Sequence, residues 1–202
     1  MSNLLGMFPI PIKTYEPYIL NEEENNCFRG EKKLIINETK NYSTENKYIL
    51  EDEKLINLKK YLQNNINDFA HNVYNFTNDQ SFYITQSWVN YNDKGTSHHK
   101  HNHSNSIFSG VYYVDSNEKF RLNLENNYSP LPLFNFKVKE YNYFNSDAFY
   151  IETVKNSCVI FPSHIKHFVE ENKKDKTRIS LAFNVFVKGN IGTYNQSTEL
   201  KI

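Results

Sequence analysis

Residues 178–187 read Arg-Ile-Ser-Leu-Ala-Phe-Asn-Val-Phe-Val, the most hydrophobic of the late strand-like stretches. The Ile, Val and Phe content marks an interior β-strand. Arg178 stands at its head, and a buried guanidinium without an anion is costly. Ser180, two residues on, shares the face of Arg178 in an extended chain and adds a hydroxyl. The pair forms a fork-and-hydroxyl receptor for a carboxylate, supplied either by a ligand or by an internal acid.

Working outward, the same period-two pattern and short apolar runs begin at residue 80. They predict strands over Ser81–Asn90, Ile107–Asp115, Lys119–Glu125, Leu133–Lys139, Ala148–Glu152, Ser157–Pro162, His167–Glu170 and Arg178–Lys188. Upstream, Leu55, Leu58, Leu62, Ile66, Phe69 and Val73 recur at helical steps, so a packing helix is expected from about 52 to 75. Short strands after one long helix predict a mainly β fold, a sandwich or jelly roll with the helix packed outside. The length of 202 residues suits one domain over 1–202. Within it, residues 1–78 would give an N-terminal strand and helical support, 79–190 the β core and 191–202 a tail. Segments 21–50 and 125–146 are candidate lids or recognition loops.

Acidic and basic residues balance at 23 each, which argues against nucleic-acid binding by bulk electrostatics. Cys27 and Cys158 are too few for a disulfide framework and match no metal spacing, so a reducing, cytoplasmic setting is expected. The start lacks a basic n-region, and no stretch is long enough to span a membrane, so no membrane partner is expected. Asn37-Glu-Thr and Asn41-Tyr-Ser match the glycosylation pattern, which is read as chance in an Asn-rich chain.

The uneven residue is histidine. Of seven, six fall in two groups: His98, His99, His101 and His103, then His164 and His167. If the backbone around His101 and His103 is extended, both imidazoles point to one face, where His99 would join them while His98 and Lys100 point away. Such a pair suits Fe(II), Zn or Cu, and it also suits a polar loop with no metal. His167 follows a turn at Pro162 and, taken alone, reads first as a core or rim histidine with a satisfied hydrogen bond.

The order His101-Asn-His103, distal His167, then Arg178-Ile-Ser180 resembles the 2-oxoglutarate- and Fe(II)-dependent oxygenases, whose core is a double-stranded β-helix. The likeness is stronger to a bacterial and phage branch of these enzymes, through Phe8-Pro-Ile-Pro11, Ser87-Trp-Val-Asn90, Ser109-Gly-Val-Tyr-Tyr113, Phe161-Pro-Ser163 and Arg178-Ile-Ser-Leu-Ala-Phe-Asn184. A phage source would make the location the host cytoplasm.

The resemblance implies a jelly-roll, cupin-like barrel. It implies Fe(II) held by His101 and His167 with His103 as third ligand, and 2-oxoglutarate held by Arg178 with Ser180. O2 would be the oxidant, and an unidentified small molecule or peptide would be hydroxylated with release of succinate and CO2. Asn90 and Tyr112 are expected as further co-substrate-binding residues, and Asn184 would stand beside the site with them. The superfamily's usual acidic residue in H-x-D or H-x-E is replaced by His103, which leaves the metal without a protein carboxylate. Iron affinity is expected to fall as pH drops through about 6.5, because ligation needs neutral imidazole. A homo-oligomer is compatible with the sequence.

Two rivals are a cupin-type metalloenzyme and a non-catalytic β-barrel binding or assembly module. Gly95 stands at the spacing of a cupin first motif, but Ser104 to Gly110 lacks the acid that should follow.

Overall fold

The structure is a computed structural model that describes residues 6–29, 34–115, 120–125 and 136–202. The apolar stripe expected from 52 to 75 forms a 3-10 turn at Glu53–Leu55, an α-helix at Ile56–Asp68 and a π turn at Phe69–Val73. Asp52 caps the start, its carboxylate accepting from Lys54 N at 3.0 Å. Leu55, Leu58, Leu62, Ile66 and Phe69 are fully buried, whereas Val73 is exposed. The wider π turn shifts the helical phase after Phe69, which rotates Val73 off the apolar stripe.

The strands are β1 (Lys13–Tyr15), β2 (Leu34–Ile36), β3 (Tyr42–Thr44), β4 (Gln80–Asn92), β5 (His98–His101), β6 (Phe108–Asp115), β7 (Phe120–Glu125), β8 (Ala148–Thr153), β9 (Cys158–Pro162), β10 (Lys166–Val169), β11 (Arg178–Ile191) and β12 (Leu200–Lys201). Among the described residues they form two antiparallel sheets. The larger runs β1-β9-β6-β11-β4-β3-β2, with β12 added to β11, and the smaller runs β5-β10-β7-β8. From β4 onward the chain passes back and forth between the two sheets. That winding makes the jelly roll a double-stranded β-helix, as expected.

The larger sheet separates two cores. On its outer face the helix packs over Phe82, Val89, Tyr112, Leu181, Phe183 and Val185. On its inner face Tyr113, Leu122, Leu124, Val159, Phe161 and Ile165 fill the space between the sheets. Because β6, β9 and β11 are buried on both faces, they read as near-continuous apolar runs. Gly110 permits this packing: a Cβ there would lie 2.0 Å from the Phe183 ring.

Three details differ from the sequence expectation. The segment 21–50, expected as a lid or recognition loop, contains regular elements. It holds a short helix at Glu22–Asn26 and the β2–β3 hairpin, which docks on β4 through Tyr42–Tyr91 and Ser43–Asn90. Asn41 in that hairpin is fully buried, so it is no glycosylation acceptor in the folded chain. The strand expected over Leu133–Lys139 falls partly outside the described residues, and 136–139 form no strand. Four-residue β5 falls on the histidine cluster itself, where an all-polar run carries no period-two signal.

Candidate metal and co-substrate site

Alternation along β11 aims Arg178, Ser180 and Ala182 between the sheets, into a pocket that Asn90 and Asn92 of β4 also line. Facing them across the pocket, the smaller sheet presents His101 opposite His167 in the β5–β10 register. His103 lies two residues beyond the end of β5, tied down by its backbone N–H donating to Ser163 O at 3.0 Å. One possible ligand atom from each of His101, His103 and His167 falls within 4.8 Å of the others. The expected trio is therefore brought together by two elements of one sheet.

What each ring does with its second nitrogen fixes its orientation. His101 Nδ1 lies 2.8 Å from His99 O, His167 Nδ1 lies 3.1 Å from Ile165 O, and His103 Nδ1 lies 2.5 Å from Asn184 Oδ1. Each of these partners is an oxygen acceptor, so each ring carries its proton on Nδ1 and keeps the Nε2 lone pair free. Outer hydrogen bonds of this kind orient metal-bound imidazoles and raise their basicity. His103 Nε2 is buried and has no hydrogen-bond partner among the described residues. A buried lone pair without a partner is uncommon, and a metal ion would satisfy it.

Burial also keeps these rings neutral. Desolvation, reinforced by neighbouring imidazoles, pulls the pKa of His167 down to about 3 and that of His101 to about 4, and desolvation lowers His103 as well. The midpoint near 6.5 expected for proton competition is thus corrected downward. The correction follows from packing several imidazoles together out of water.

The other half of the pocket is built around Arg178, which is 3% exposed. Its Nη2 donates to Asn92 Oδ1 at 2.9 Å, and its guanidinium carbon lies 4.5 Å from the Phe120 ring centroid. Its Nε is buried without a partner, and no ion pair to an acid is formed among the described residues. Among the described residues, an internal salt bridge, the alternative for this residue, is not what holds it. Burial brings the Arg178 pKa down to about 10, which leaves it cationic at neutral pH. Ser180 and Asn90 sit directly opposite each other on paired strands, and Asn90 Oδ1 also lacks a partner. No carboxylate lines the pocket among the described residues. A desolvated cation whose own Nε–H is unpaired is suited to an anion that enters from outside.

Two expectations are corrected. Tyr112 does not line the pocket. It faces the outer core, where its hydroxyl donates to Tyr18 O at 2.6 Å, and Tyr113 takes the inner position instead. A strand buried on both faces carries no alternation from which its phase can be read. His99 likewise gives way to His98. Between the pairs His167–His101 and Val169–His98, one residue of β10 opposes two of β5. This β-bulge turns His98 and His101, three residues apart, to the same side.

Sequence reasoning also passed over Asn92 and Trp88. Both lie on the inner face of β4 with Asn90, at the two-residue spacing that could have revealed them. Trp88 stacks on His103 with ring centroids 5.7 Å apart.

Residues 86–184 match the family described as "Putative 2OG-Fe(II) oxygenase". No curated protein matches the sequence. Among solved structures, the fold is similar to an oxidoreductase of the 2OG-Fe(II) oxygenase family from Burkholderia pseudomallei, at 10% identity over 86% of this chain and 84% of that chain, with a TM-score of 0.61. It is similar to a prolyl-4-hydroxylase from Pseudomonas putida, at 12% identity over 87% and 92%, with a TM-score of 0.52. It is also similar to HygX from Streptomyces hygroscopicus, solved with nickel, 2-oxoglutarate and hygromycin B, at 10% identity over 87% and 82%, with a TM-score of 0.56. At these identities the solved structures speak for the double-stranded β-helix, while the sequence match spans the strands that carry both histidine groups and Arg178. Residues 86–184 belong to the 2OG-Fe(II) oxygenase family, and the chain is an oxidoreductase of the 2-oxoglutarate-dependent type.

Proposed function

We propose that the protein couples oxidative decarboxylation of 2-oxoglutarate to hydroxylation of a small molecule or peptide, releasing succinate and CO2. His101, His103 and His167 would hold Fe(II), and Arg178 with Ser180 would grip the distal carboxylate of 2-oxoglutarate. The observation that carries this reading is the convergence of unpaired buried atoms in one pocket: His103 Nε2, Arg178 Nε and Asn90 Oδ1. The first suits a cation and the second an anion, and a metal–dicarboxylate pair supplies both.

The donor set fits Fe(II). Imidazole nitrogen is a common iron ligand, and the three Nε2 lone pairs are already freed by the acceptors at Nδ1. Bound Fe(II) would supply the O2-dependent oxidation that drives decarboxylation. The protein's own groups do the rest. Asn184, His99 O and Ile165 O hold the rings, Arg178 orients the co-substrate from the opposite sheet, and Phe161, Val111 and Leu122 keep the pocket apolar and limit water.

Succinate formation from 2-oxoglutarate under air, with Fe(II) and ascorbate, tests the reading. Turnover that requires both Fe(II) and 2-oxoglutarate supports it; metal-dependent turnover indifferent to 2-oxoglutarate would favour the cupin-type reading instead.

A further inference from the structure

Exposure along the inner face of the larger sheet rises in one direction. On β4 Asn92 is fully buried and Asn90 is 6% exposed, whereas Trp88 is half-buried and Gln86 is open to solvent. The β11–β4 register is unbroken from Gln86 to Asn92, so Gln86 shares the face of the other three. On β11 the order repeats, from buried Arg178, Ser180 and Ala182 to half-buried Asn184. Asn92 stands opposite Arg178, and Gln86 stands opposite Asn184, so the two gradients run side by side. Arg178 thus closes the pocket, and His103 lies toward its mouth, where Asn184 holds the ring and Trp88 stacks on it. A molecule that reaches the histidine trio from solvent along this face passes Gln86 and Trp88.

These two side chains offer hydrogen bonds without charge. The Trp88 indole N–H and the Gln86 amide have no hydrogen-bond partner among the described residues. Trp88 supplies an apolar face and a donor, and Gln86 supplies both a donor and an acceptor. Among the described residues lining the pocket, Arg178 is the one permanent charge, and it sits at the closed end. Nearby cations are engaged elsewhere: Lys47 donates to Thr44 O at 2.7 Å and Ser43 Oγ at 3.2 Å, and Lys100 pairs with Glu125 at 2.5 Å. An ionic group brought to this mouth would lose water and gain no counter-charge. An amide is planar enough to lie on the indole, and its donor and acceptor match those of Gln86 in a pair of hydrogen bonds.

We propose that Trp88 and Gln86 bind the primary substrate, and that the group they receive is a neutral amide, as in a peptide. This assignment rests on the oxygenase reading above.

Two libraries of N-acetylated, C-amidated tripeptides test it, one built from uncharged residues and one carrying Asp, Glu, Lys or Arg at every position. Trp88 is the only tryptophan of the chain, so its emission reports contact directly. In the protein loaded with Zn(II) and 2-oxoglutarate, the uncharged library should change that emission saturably and the charged library should not. With Fe(II), 2-oxoglutarate and air, mass spectrometry should find members of the uncharged library that have gained one oxygen. For such a peptide, Gln86→Leu should raise KM about tenfold and leave kcat nearly unchanged, as expected when binding alone loses its hydrogen bonds. Gln86 is exposed, so the variant should fold, and unchanged metal stoichiometry and 2-oxoglutarate affinity verify that it does. Oxidation confined to charged peptides, an equal emission change with both libraries, or an unchanged KM in Gln86→Leu would overturn the proposal. A wild type that binds 2-oxoglutarate yet oxidises no peptide would overturn the amide assignment alone. If the wild type takes up no 2-oxoglutarate, the oxygenase reading fails, and this assignment falls with it.

Discussion

His103 Nδ1 meets Asn184 Oδ1 at 2.5 Å, across a span of sequence that joins the end of β5 to the middle of β11. Ser109 Oγ donates to the same oxygen at 3.4 Å. Asn184 sits where the β11–β4 register shifts, on the face it shares with Arg178, Ser180 and Ala182. One strand thus supports a histidine of the proposed metal site at one point and presents the proposed carboxylate receptor at another. Replacing Asn184 with Leu removes the acceptor and frees His103 to rotate. Metal affinity should fall by roughly 10- to 100-fold, the usual cost of losing such a supporting contact. Competition against a chromogenic chelator measures it, and an unchanged affinity would remove Asn184 from the site.

Arg178 is held by Asn92 and the Phe120 ring and by no acid among the described residues. Arg178→Lys keeps a charge but loses the planar fork. It should raise the dissociation constant for 2-oxoglutarate at least tenfold and leave metal stoichiometry intact. Loss of metal and 2-oxoglutarate together would assign Arg178 a structural role.

Tyr112 and Tyr113 separate the two cores. Tyr112→Phe deletes the hydroxyl that donates to Tyr18 O, on the helix side of the sheet. The expected result is a stability loss of about 1 kcal/mol in urea unfolding, with 2-oxoglutarate affinity unaltered. A selective loss of co-substrate binding would contradict the placement of Tyr112 in the outer core.

The buried imidazoles make the metal-free protein acid-sensitive. In the unfolded chain a histidine takes up its proton near pH 6.5, whereas in the fold His98 and His167 resist protonation down to about 3 and His101 to about 4. Between these values the unfolded state binds more protons, so stability is full above pH 6.5 and falls as pH drops toward 4. The urea midpoint of the metal-free protein should be level from pH 8 to 7 and decline from pH 6 to 5. A midpoint constant from pH 7 to 5 would contradict the burial of the cluster. By the same argument, metal loss near pH 5 should follow unfolding, since proton competition within the fold sets in only lower.

Sequence carried the architecture wherever one face was wet or a residue type was out of place. Leu55 to Phe69 announced the helix by spacing, and His101, His103, His167 and Arg178 stood out as rare side chains on strand-like runs. Tyr112 was misplaced because Ser109 to Val114 is buried on both sides, which erases the phase. His98 was missed because a β-bulge broke the two-residue rule on which the histidines were sorted. The β2–β3 hairpin escaped because strands of three residues in an Asn-rich stretch carry too few side chains to show a period. Its buried Asn41 has meaning only beside His98, which is distant in sequence.

The central claim is that one pocket holds Fe(II) on His101, His103 and His167 together with 2-oxoglutarate on Arg178. Anaerobic addition of Fe(II) and 2-oxoglutarate to the purified protein tests it most directly, read as the weak visible charge-transfer band of the chelate. The band should appear in the wild type, vanish in His101→Ala and require far more 2-oxoglutarate in Arg178→Ala. A wild-type protein that binds both components yet shows no band, or a band that survives in His101→Ala, would contradict the account.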